Sequence, residues 1–117
     1  AVCRNRFGGD PVKTILAYVR PHMVQSAVAK LLEAGCEDIV VHEVKRVVPG
    51  LRGEEYAYSV EIGQRYEAMT ALICPADDDT AQRWVEVLRA AVWTGQHGAG
   101  EIMILPLTSI LRISGPR

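Results

Sequence analysis

A strand–helix–strand pattern occurs twice in this chain, and that repetition restricts the fold more than any other feature. Val12 to Arg20 (VKTILAYVR) is rich in β-branched and aromatic residues and reads as a strand. Pro21 suits the first turn of a helix, and Val24, Ala27, Val28, Leu31 and Leu32 then recur at helical spacing. Gly35 stands where a helix C-cap belongs. Asp38 to Lys45 (DIVVHEVK) is a second strand. The pattern restarts with Arg65 to Cys74 (RYEAMTALIC), a third strand that Pro75 and Ala76 are expected to break. Asp77-Asp78-Asp79 place negative charge at a helix N-terminus, where the helix dipole favours it. Ala81, Trp84, Val85, Leu88, Ala91 and Val92 form the apolar stripe of that helix. Ile102 to Leu107 (IMILPL) is a fourth strand, and Ile110 to Ile113 is expected to add a short fifth.

The order β-α-β, loop, β-α-β predicts an α+β, ferredoxin-like βαββαβ sandwich, with an antiparallel four-stranded sheet and both helices on one face. The other face is bare in a monomer, which predicts self-association through it. Residues 1–11 end in Gly8-Gly9-Asp10-Pro11 and read as a flexible arm before a single domain, 12–117. Between the halves, Arg46 to Gly53 (RVVPGLRG) interrupts strand structure, and Glu54 to Gln64 (EEYAYSVEIGQ) reads as strand or loop. A net charge of -1 gives no general affinity for nucleic acid or anionic membrane. No apolar run approaches the roughly 18–20 residues of a membrane span. The N-terminus lacks the apolar stretch of a signal peptide, so a cytoplasmic protein is expected. Cys3, Cys36 and Cys74 are too widely spaced for a CxxC motif or a disulfide framework, and two of them read as buried thiols.

The segment richest in chemistry is Thr94 to Gly100 (TGQHGAG), with three glycines between a helix end and a strand. Such a loop can aim backbone N–H groups at phosphate oxygens. It matches neither the GxxxxGK[ST] P-loop nor the dinucleotide fingerprint, whose glycines open a helix instead of following one.

Joined to its surroundings, this segment carries a resemblance. TGQHGAGEI followed by ILPLTSILRI is similar to the TGxxGxGKI loop and last strands of the PII signal-transduction family. ILAYVRP, a helix and LLEAGCEDIVVHEVK resemble that family's opening, and Arg52-Gly53-Glu54-Glu55-Tyr56 is similar to the RGAEY of its T-loop. The likeness runs from about Val12 to Ser114 and is thinnest between Arg46 and Ala68.

The resemblance implies a homotrimer that catalyses nothing. It would bind ADP, AMP or ATP in clefts between subunits and engage a target protein, a transporter or enzyme, through a T-loop at about residues 46–64. Carried over by position, Gly95, His97, Gly98, Ala99 and Gly100 shape the phosphate loop. Arg20 and Arg112 meet phosphate charge, and Val40, Lys45 and Ile73 line the adenine side. Arg52, Gly53, Glu55 and Tyr56 belong to the T-loop, Tyr56 standing where some members are uridylylated. Departures alter the expected ligand. Ala99 and Glu101 replace an aspartate and a lysine of the family, and Ser114 replaces a second arginine. Fewer cations favour ADP or AMP over MgATP. The family's glycine-rich GFGRQKGHTELY is replaced by the shorter RVVPGL, and its oxoglutarate-contacting glutamine has no counterpart, which points away from classical nitrogen control. The pattern resembles divergent PII-like proteins, including the group linked to carboxysomes and bicarbonate.

Two other classes compete. His22, His42 and His97, with Cys36 or Cys74, could hold a metal if the fold gathered them, though none lies at HxxxH spacing. The trimeric CutA family shares this fold and is linked to copper, so a metal-binding trimer is the alternative reading. Acylphosphatases share the split βαβ plan, but Arg20-Pro21-His22 lacks their glycine-flanked arginine loop. Nothing in the spacing forms a Ser-His-Asp or Cys-His set, so no enzyme is expected. Trp84 belongs to the helical stripe and reads as core, whereas Trp93 flanks the glycine segment.

Overall fold

The computed structural model describes residues 13–51, 56–92, 100–111 and 113. The chain runs through β1 (Lys13–Val19), a 3-10 turn (Pro21–Met23), α1 (Val24–Glu33), β2 (Val40–Arg46), β3 (Ala57–Ser59), β4 (Gln64–Ala76), α2 (Asp78–Val92) and β5 (Gly100–Pro106). The strands pair antiparallel in the order β2-β4-β1-β5, and β3 adds a short pairing to the start of β4. This is the ferredoxin-like α+β arrangement that the doubled strand–helix–strand pattern predicts.

Alternation along the strands decides which face the helices cover. In β1, Ile15, Ala17 and Val19 are buried, and the register sets Ile15 opposite Cys74 and Ala17 opposite Leu72 of β4. These side chains form one cluster with Ala27 and Leu31 of α1 and with Ala81, Trp84, Leu88 and Val92 of α2. Both helices therefore lie on the same face. Trp84 is 2 % exposed, so its reading as core is correct.

The helix ends follow from local chemistry. After α1, Gly35 adopts φ 103°, its N–H donates to Leu32 O at 3.1 Å, and Cys36 N–H donates to Leu31 O at 2.9 Å. This is a Schellman closure, and it needs the left-handed conformation that glycine supplies. At the start of α2, Thr80 N–H donates to Asp77 Oδ1 at 2.8 Å and Asp77 N–H donates to Thr80 Oγ1 at 3.0 Å. Asp77 thus acts as a reciprocal cap for that helix.

Two expectations need correction. Pro75 and Ala76 do not break the third strand, because β4 continues to Ala76 and pairs Pro75 with Thr14 of β1. The β2 pairing ends at Ile73, so at Pro75 the strand has a neighbour on one side only, where a missing N–H is tolerated. The expected fifth strand at Ile110–Ile113 does not form among the described residues, where Leu111 makes an isolated bridge. The undecided stretch before β4 resolves into the hairpin of β3 and the first residues of β4. The proposed arm at residues 1–11 lies outside the described residues. Among the described residues, no helix is long and apolar enough to cross a membrane.

On the opposite face of the sheet lie the alternate positions: Leu16 and Tyr18 of β1, Val40 and Val44 of β2, Ile73 of β4, and Met103 and Leu105 of β5. No helix of the described residues packs there, and Val40 and Leu105 are 51 % and 40 % exposed.

Candidate functional site

Four charged side chains gather at one end of this open face. Arg20 follows the last residue of β1, and its Nη1 lies 2.9 Å from Glu67 Oε1. Arg46 is the last residue of β2 and stands opposite Glu67 in the ladder. Its Nη2 reaches over β4 and β1 to lie 3.5 Å from Glu101 Oε1 in β5. The side chains of Arg46 and Glu101 are 37 % and 48 % exposed, whereas that of Glu67 is 17 % exposed. Water competes with such contacts, so exposed pairs of this kind are typically worth only about 0.2–1 kcal/mol. An anion reaching this end of the sheet would meet the Arg46 guanidinium, held only by a weak internal counterion.

Gly100 opens β5 opposite Val19. A Cβ at this position would lie 2.5 Å from the carbonyl oxygen of Tyr18. The glycine is therefore needed for β5 to approach β1, a demand separate from any role in a phosphate loop.

Lys45 projects to the other face at the same end of the sheet. Its Nζ lies 5.1 Å from the centroid of the Tyr66 ring, a cation–π contact. The two side chains border a cleft of about 340 Å³ that is also lined by Pro21, Glu43, Ala68 and Thr70.

Arg20, Lys45 and Gly100, singled out from the sequence, thus come to one end of the sheet. Val40 and Ile73 do pair with each other in the ladder, but elsewhere. Ile73 lies six residues along β4 from Glu67, about 20 Å at roughly 3.3 Å per residue. The two groups do not meet within one chain. Gly95, His97, Gly98, Ala99 and Arg112 lie outside the described residues, as do Arg52, Gly53 and Glu55 of the expected T-loop. Tyr56 is half-buried, and its carbonyl accepts a hydrogen bond from Arg65 Nη1 at 2.7 Å. Arg46 and Glu67 escaped the sequence reading. Their signal was alternation: Arg46 continues the period of Val40 and Val44, and Glu67 that of Ile73.

Among the described residues no three His, Cys, Asp or Glu side chains stand together as a metal cluster. Cys36 and Cys74 are instead buried in the core as free thiols. The hydrogen bond between them, together with burial, pushes the Cys74 thiol well above its ordinary value.

No family model matches the chain. Individual relatives do. The chain is 32% identical over 99 residues to the nitrogen fixation nifHD region glnB-like protein 1 of Methanococcus maripaludis, covering 82% of this chain and 88% of that protein. It is 30% identical over 108 residues to the nitrogen regulatory protein P-II of Nostoc punctiforme, covering 87% of this chain and 91% of that protein. A P-II protein of Cyanidium caldarium is 26% identical over 97 residues, 83% of this chain and 86% of its own length. This chain belongs to the PII family. The resemblance read from TGQHGAGEI and from the opening strands was therefore correct, as was the fold it implied. PII proteins are non-catalytic regulators, so the chain is a regulatory protein and not an enzyme.

Proposed function

We propose that this PII protein is a cytoplasmic homotrimer that binds an adenine nucleotide in the clefts between its subunits. It passes the bound state to a target protein, a transporter or enzyme, through the segment at about residues 46–64. One observation carries this reading. Arg20 and Gly100 stand at one end of the sheet, and Val40 and Ile73 lie further along it, Ile73 three residues beyond the Thr70 that pairs with Val19, about 10 Å at roughly 3.3 Å per residue. A ligand held between subunits would meet one subunit's sheet end and its neighbour's Val40–Ile73 pair. The open apolar face supplies the surface for that association.

ADP or AMP is the preferred ligand over MgATP. Glu101 adds a carboxylate at the entry to β5, and Ala99 and Ser114 add no cation. Each charge-assisted bond to phosphate contributes about 1.5–3 kcal/mol, so a site short of cations gains less from a third phosphate. The resemblance to divergent PII-like proteins linked to carboxysomes makes bicarbonate one candidate effector. The named nitrogen roles of the relatives make 2-oxoglutarate the competitor.

Calorimetric titration with AMP, ADP and ATP, each with and without bicarbonate or 2-oxoglutarate, tests the proposal. One ADP or AMP site per subunit is expected, strengthened by bicarbonate. ATP binding at least about tenfold tighter than ADP, a difference of roughly 1.4 kcal/mol, would overturn the ligand preference. Affinities unmoved by bicarbonate would remove the carbon link.

A further inference from the structure

We infer that Arg46 is a further anion-binding guanidinium of this site and that Glu101 is its built-in counterion, so that Glu101 sets how many phosphate charges the site accepts. The inference rests on the nucleotide reading above.

The two arginine–carboxylate pairs are not equivalent. Arg20 and Glu67 meet at 2.9 Å, and the Glu67 side chain is 17 % exposed. Arg46 and Glu101 meet at 3.5 Å, with 37 % and 48 % of their side chains exposed. Arg46 must also extend across β4 and β1 to make its contact, which costs side-chain freedom. The Arg46–Glu101 pair is therefore the one that yields to an incoming anion. A phosphate group offers Arg46 a bidentate acceptor with more charge than a carboxylate. The long arginine side chain can leave Glu101 without any movement of the strand.

The displaced carboxylate does not leave the site. The backbone of Glu101 is held in the ladder opposite Tyr18 of β1, next to Gly100 opposite Val19. After Arg46 swings to the ligand, Glu101 remains as an uncompensated negative charge near the phosphates. Its repulsion grows with each phosphate added, so the pair penalises ATP more than ADP. Glu101 is thus a specificity-determining residue that acts through Arg46 and through charge.

The test is calorimetric titration of ADP and ATP into the wild-type protein, Glu101→Gln, Arg46→Ala and the double variant, with thermal unfolding of each to check folding. Glu101→Gln should raise ATP affinity about fivefold, the most that an exposed charge pair usually carries, and ADP affinity about half as much. Arg46→Ala should weaken both nucleotides, and the gain from Glu101→Gln should shrink in the Arg46→Ala background. Affinities for Glu101→Gln equal to wild type, in a protein that binds ADP, would overturn the inference and leave the nucleotide reading standing. A full gain retained without Arg46 would show that Glu101 acts independently of it, and would likewise overturn the inference. Failure of the wild-type protein to take up either nucleotide would end the nucleotide reading and this inference with it.

Discussion

The two faces of the sheet are made by the same strands yet have opposite fates. On one, Ile15, Ala17, Val19, Leu72 and Cys74 disappear beneath α1 and α2. On the other, Val40, Met103 and Leu105 remain exposed, and the charged cluster of Arg20, Glu67, Arg46 and Glu101 stands at one end. A period of two built both faces apolar, so the sheet was patterned for two partners. The helices supply the first. In the proposed trimer the second partner is a neighbouring subunit, and Arg20, Arg46, Glu67 and Glu101 stand on that open side while Lys45 projects to the covered one. The covered face holds the fold, and the open face is where the regulatory behaviour should be found.

Substitutions that separate the two faces test this division. The largest loss of stability is expected on the covered side. Trp84→Ala should cost about 3–5 kcal/mol, measured by urea unfolding, because it opens a cavity between α2 and the sheet. Asp77→Ala, also on the helix side, should cost about 1 kcal/mol through loss of the α2 cap. That loss should depend on pH. Hydrogen bonds from the Thr80 backbone N–H and hydroxyl hold the Asp77 carboxyl below its ordinary value of 3.8. A depressed folded-state value means that the contribution is complete above the unfolded value and fades as pH falls through the folded one. Wild type and Asp77→Ala should therefore converge in stability at strongly acid pH and differ fully at neutral pH. Leu105→Glu, on the open side, should change the stability of an isolated subunit by no more than about 0.5 kcal/mol while abolishing self-association in sedimentation experiments. A large loss of subunit stability from Leu105→Glu, or none from Trp84→Ala, would break the comparison.

The strand–helix order, the end of α1 and the start of α2 could be read from the sequence because each rests on local chemistry. Gly35 and Asp77 sit at their expected termini because a Schellman closure and a cap involve residues only a few positions apart. What escaped depends on neighbours distant in sequence. Pro75 looks like a strand end until it is known that β2 stops pairing before it. Arg46 reads as the first residue of a loop, and only the fold shows it reaching Glu101 across two strands. The site was legible in part for the same reason. Arg20 and Gly100 could be named singly from motif position, but the separation of their group from Val40 and Ile73 is a property of strand register. Gly100 also has a packing role that its glycine-rich context concealed, since its closest obstacle is the backbone of β1.

Assembly through the open face is directly measurable. If one subunit's Arg20 and Gly100 are to share a ligand with a neighbour's Val40–Ile73 pair, the protein must assemble through its open face. Sedimentation equilibrium of the unmodified protein at micromolar concentration is the most direct test. A single species with the mass of three subunits is expected. A monomer under those conditions would leave the two groups apart and the proposed cleft unformed, and would contradict the proposal.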